Sequence, residues 1–96
     1  MQVVIRQYSG KGAAELIDLL EKQTPDVQAL MRSVKGFVSY TIARSSGGGF
    51  TVTICQDKAG IDESIKKAKD WIAKNASNLG TAAPMVTIGE VVLHLT

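Results

Sequence analysis

Ninety-six residues, 45% hydrophobic and 21% charged, suffice for one folded domain with a modest core and exclude a disordered chain. Eleven basic against nine acidic residues leave +2, interspersed and without the basic run that neutralises phosphates along a groove, so nucleic acid is not an expected partner. The apolar runs fall far short of a membrane span and no charged leader precedes a signal-type apolar core, so the expectation is a cytoplasmic protein with no membrane partner.

Gln2 to Tyr8 has a continuous apolar start and predicts the first strand, ended by Ser9-Gly10, with Arg6 the odd member. From Lys11 the period changes. Leu16, Ile17, Leu19 and Leu20 cluster on one side, with Glu15, Asp18, Glu21 and Lys22 mostly on the other, as in a surface helix ending near Gln23. Thr24-Pro25 predicts a restart, with threonine as N-cap and proline at the first helical position. This second piece, with Val27, Leu30 and Met31 facing in, runs to about Ser33.

Phe37 to Ala43 and Phe50 to Gln56 alternate with the period of two of pleated strands, and SSGGG between them predicts an antiparallel hairpin. The side bearing Tyr40, Ile42, Val52 and Ile54 is expected to need a cover, because a lone hairpin is only marginally stable. Thr51, Thr53 and Cys55 form a smaller, half-polar side. Ile61, Ile65, Ala68 and Ile72 then mark a long helix over about 61–75, with opposite charges four residues apart on its other face. Asn75, Asn78 and Gly80 suit a left-handed exit. Met85 to Leu95 predicts the last strand, with Gly89 a bulge or bend.

Strand, helix in two pieces, strand, strand, helix, strand is the α+β, ferredoxin-like βαββαβ order: a four-stranded antiparallel sheet with its helices on one face. The first and last strands are apolar on both sides, at Val3, Val4 and Ile5 and at Val91, Val92 and Leu93. A second copy is therefore expected over the bare face, giving a homodimer.

The run from Ser33 to Tyr40, the glycine turn, FTVTICQDKAG, DESIKKAKDWI and GEVVLH together resemble the antibiotic biosynthesis monooxygenase-like family of dimeric α/β barrels, over residues 1–96 as a single domain. That resemblance implies a pocket between sheet and helices. It also implies either a cofactor-free monooxygenase acting on a small aromatic or polycyclic phenolic substrate, or one of the family's haem-degrading branch. Trp71 matches the tryptophan of the family's second long helix. The first-strand asparagine of the haem-degrading branch has no match in Val4 to Tyr8, and no histidine for iron stands in the helix around Trp71, so haem degradation is disfavoured and no cofactor is expected.

Each candidate residue has a plainer reading beside the functional one. Trp71 packs beside the helical stripe or stacks on an aromatic ligand. Tyr40 fills core or offers a phenol to a ligand. His94, the only imidazole, has no second His and no Cys near it in sequence to hold a metal; it is structural, exposed, or a base. The single Cys55 lies between small residues and reads as a buried, inert thiol. Arg6 keeps its charge and, if buried, needs an acceptor; it either pairs with Glu90, within the subunit or across the dimer, or binds an anion in a pocket. No GxSxG, P-loop, dinucleotide fingerprint or CxxC occurs. Two readings follow: a small homodimeric oxygenase, or a non-catalytic dimeric module that binds a metabolite or is structural.

Overall fold

A computed structural model describes all 96 residues. Its elements run β1 (Gln2–Ser9), α1 (Ala13–Lys22), α2 (Thr24–Arg32), β2 (Phe37–Ser45), β3 (Gly48–Cys55), α3 (Lys58–Asn75), a 3-10 turn (Ser77–Leu79) and β4 (Met85–Glu90). The sheet order is β2-β3-β1-β4 with every neighbouring pair antiparallel, the ferredoxin-like arrangement.

Alternation along β1 assigns the two faces. Val4, Arg6 and Tyr8 are buried under the helices, whereas Val3, Ile5 and Gln7 point to the other side. Tyr8 packs into the larger cluster with Leu16, Ile17 and Leu20 of α1 and Val27 and Met31 of α2. Val4 packs into a smaller one with Val34, Cys55 and Ile61. Gly49 lets α1 settle onto β3, since a Cβ there would stand 2.7 Å from the Ile17 side chain and 2.5 Å from the Ala43 carbonyl oxygen.

The hairpin's facing departs from expectation. Ser45 pairs with Gly48 across a tight turn in which Gly47 takes φ 77°, and this register sets Tyr40 opposite Thr53 and Ile42 opposite Thr51. Tyr40 and Ile42 therefore share the helix-covered face with the small residues Thr51, Thr53 and Cys55. Phe50, Val52 and Ile54 lie on the other face, because a shift of one residue in pairing sends every side chain across the sheet.

Three boundaries also move. Thr24 does not cap α2; its hydroxyl donates to the Glu21 carbonyl at 2.6 Å and so satisfies the end of α1. Asp57 caps α3 by accepting from the Gly60 amide at 3.0 Å, so that helix begins at Lys58. β4 stops at Glu90 rather than Leu95. Its register with β1 passes through Gly89 without interruption, the irregularity falling instead between Phe37 and Ser39 on β2.

The helices leave one sheet face open. Val3, Phe50 and Val52 are half-buried there, and Ile5 is 37% exposed. Beyond β4, Val92 and Leu95 stand almost wholly in solvent. No helix is long and apolar enough to cross a membrane.

Candidate functional site

The small inner face of β3 leaves room beneath the helices, and what occupies that room is polar. β1 turns Arg6 and Tyr8 inward, Thr51 lies opposite Arg6, and Tyr40 reaches in from β2. Leu20 of α1, Val27, Leu30 and Met31 of α2, and Ala68, Trp71 and Ile72 of α3 close the space from above. About 20 Å³ stays open inside, room for one water.

Arg6 is 4% exposed and its Nε has no hydrogen-bond partner. It belongs to none of the ion pairs, which join Arg44 to Asp18 and Glu21, Lys58 to Asp62, and Lys67 to Glu63. Its guanidinium carbon sits 5.6 Å from the centre of the Tyr8 ring. A cation–π contact of that kind returns about 2 kcal/mol when desolvated, whereas burying an unpaired ion costs several kcal/mol, so the ring alone does not offset the burial. An anion at this place would.

Glu90 is not that anion. It stands opposite Gln2 on β1, while Arg6 stands opposite Val86. Four residues separate the two positions, about 13 Å along the strand. Arg6 also lies on the helix-covered face of the sheet, not on the open one. Of the two roles expected for Arg6, the register removes the pair with Glu90 within the subunit.

Burial raises the Tyr8 phenol above its ordinary range, with the Arg6 charge pulling the other way. The Tyr40 phenol is pushed up to about 12, first by burial, then by the Tyr8 ring, against the opposing Arg6 charge and Thr51 hydroxyl. Both phenols are therefore neutral hydrogen-bonding groups around neutrality. Cys55 is buried and its thiol is raised by burial, then by Asp57 and Glu63, which suits packing and not nucleophilic attack.

Of the residues singled out in the sequence, Trp71, Tyr40 and Arg6 come together here, and His94 does not. His94 is half-buried in the segment after β4 and lines none of this space. Trp71 is half-buried, its outer side bordering an open groove with Asp26, Leu30, Lys74 and Asn75. Tyr8 and Thr51 were missed. The signal for Tyr8 was available, since it shares Arg6's side of β1; Thr51 needed the register.

Two outcomes follow. Arg6→Met should leave stability unchanged or raise it by about 1–4 kcal/mol, because it removes a buried charge that lacks a partner. Glu90→Leu, at an exposed position, should change stability by less than about 0.5 kcal/mol. In urea unfolding the double variant should then equal the sum of the singles. A coupling above about 1 kcal/mol would restore the ion pair. The neutral Tyr40 phenol contributes stability that is complete below pH 10 and lost as pH rises through about 12. Unfolding midpoints measured from pH 9 to pH 12 should show a loss of about 2–3 kcal/mol that Tyr40→Phe largely removes; equal alkaline losses in both proteins would refute it.

No protein-family model matches the chain, and no curated protein does. Solved structures do. A protein of unknown function from Nitrosomonas europaea superposes with a TM-score of 0.72 at 14% identity, over 99% of this chain and 91% of the other. The haem degrader MhuD from Mycobacterium tuberculosis, solved with two haems in its active site, gives 0.70 at 19% identity over 100% of both chains. A dimeric ferredoxin-like protein from an uncultured marine organism gives 0.64 at 20% identity, over 98% of this chain and 94% of that one. At these identities the likeness is one of backbone, and it establishes the ferredoxin-like fold that the family resemblance implied.

Proposed function

We propose that this chain is a homodimeric protein that binds a small, flat aromatic molecule between its sheet and its helices, with Arg6 on an anionic or phenolic oxygen and Trp71 against the ring. The observation that carries this reading is the buried Arg6, in no ion pair and with its Nε unbonded, set in a space that Trp71 also lines. In its oxygenase form the substrate supplies the electrons. Arg6 stabilises the deprotonated substrate, and its electron-rich ring reduces O₂; at a ring CH₂ one oxygen atom becomes the new carbonyl and the other leaves as water with the two hydrogens. The cavity lining contains no carboxylate or imidazole, so the proton passes to water, and Tyr8 and Tyr40 act as hydrogen-bonding groups. The absence of an imidazole from that lining also weighs against haem chemistry of the MhuD kind.

The non-catalytic module has an observation in its favour as well. The inner space of about 20 Å³ is too small for a ring unless its walls move. Dimerisation is supported by the open face of Val3, Ile5, Phe50 and Val52, where apolar burial is worth about 25 cal/mol per Å² before association costs. The dimeric state of the marine ferredoxin-like protein points the same way. A cytoplasmic setting fits the free, buried Cys55.

Calorimetry with 2-naphthoate and its neutral amide tests the binding reading. The anion should bind at least tenfold more tightly, about 1.4 kcal/mol, and Arg6→Met should erase the difference. Equal affinities would sink it. Oxygen uptake with a hydroxyanthrone above the buffer rate then selects the oxygenase, and binding without uptake selects the module. Light scattering at micromolar concentration should give twice the chain mass, with Ile5→Lys monomeric; a monomeric wild type would refute the dimer.

A further inference from the structure

Tyr40 borders three spaces at once. Its ring walls the inner cavity that holds Arg6, and it also lines two open grooves, one of about 400 Å³ and one of about 340 Å³, on either side along β2. Across from it stands α2. Val27 faces both the inner cavity and the larger groove, and Met31 faces both the inner cavity and the smaller one. Tyr40, Val27 and Met31 are thus the partition between the guanidinium and the outside on this edge of the sheet.

The volumes on the two sides of that partition are very unequal. Inside, about 20 Å³ accommodates one water, a place a head group can take only as the Tyr40 ring moves, and no ring. Outside, the larger groove offers Ile17, Val27 and Ile42 as an apolar floor, and it ends in a charged rim where Arg44 bridges Asp18 and Glu21. A ligand that satisfies Arg6 and also buries an apolar body must lie in both compartments. We infer that the site is bipartite and takes an elongated, flat monoanion of the aryl carboxylate class, whose head reaches Arg6 and whose body lies past Tyr40 in the groove between α2 and β2. This rests on the Arg6-dependent binding proposed above, moves the ring from Trp71 to Tyr40, which borders the groove as Trp71 does not, and adds the shape of the ligand and the residue that selects it.

Tyr40 is suited to that role by its place. β2 is an edge strand, so nothing beyond it pins the ring from outside. The phenol stays neutral and has the Thr51 hydroxyl beside it, a contact that a carboxylate at Arg6 can take over. The ring can swing between staggered rotamers to admit the head and then lie flat against the body.

Titration of the full chain with benzoate and with 4-biphenylcarboxylate reads the two compartments separately. The longer probe should bind at least tenfold more tightly. Ile42→Gln, which alters the groove floor and not the inner cavity, should weaken 4-biphenylcarboxylate at least fivefold and leave benzoate within twofold. Tyr40→Ala should speed association of both probes about tenfold in stopped flow. Where that variant melts early, Tyr40→Phe, retaining the ring, should associate at the wild-type rate. Equal affinities for the two probes with Ile42→Gln inert would overturn the bipartite site while leaving Arg6-dependent binding intact. Binding that Arg6→Met leaves unchanged, or no binding of either probe, would overturn the underlying reading as well.

Discussion

A guanidinium held on a central strand beneath the helices constrains everything around it. Arg6 keeps its charge at any pH the protein survives, so the fold has to supply it with partial compensation, and the neighbours show how. A phenyl face lies over the cation, Thr51 stands opposite it on β3, and a second phenol closes the edge. None of these carries a negative charge. The core is accordingly split, with a large aliphatic cluster under α1 and α2 and a small one around Val4 and Ile61.

The same constraint inverts the usual distribution of bulk across the sheet. On β3 the large side chains Phe50, Val52 and Ile54 face away from the helices, and threonines and a cysteine face toward them. Small inner residues keep the helices from collapsing the space around Arg6, and large outer ones leave the sheet with a second apolar surface. The partly polar interior and the open exterior are thus two results of one alternation, and the proposed binding within and association without would draw on opposite faces of the same strands.

Much of this was legible in the sequence because periodicity is local. The order of elements, the placement of both helical segments after β1 on one face and the hairpin all follow from spacing that a reader can count. Facing on β2 and β3 was not, since it turns on whether the reversal uses Ser46-Gly47 or a longer loop, and SSGGG permits either. Arg6 could be recognised as anomalous from its neighbours Val3, Val4 and Ile5. Its lack of a partner could not, because the register of β1 against β4 decides whether Glu90 reaches it. The setting of His94 differs for a related reason. A strand read through to Leu95 would have carried it along the sheet, but the ladder ends at Glu90 and His94 falls outside the site.

The position of α2 has a consequence for the dynamics of the molecule. At nine residues it is shorter than a helix that holds its shape alone in water, and open grooves flank it on both sides. Only Val27 and Met31 anchor it in the core, so its backbone hydrogen bonds should open more readily than those of α3, whose 18 residues are tied down by the Asp57 cap and by the Lys67 bond to Ser33. A molecule seated between α2 and Tyr40, as proposed, would spend part of its binding energy on ordering that helix, and occupancy would then be read out as slower exchange of the α2 amides.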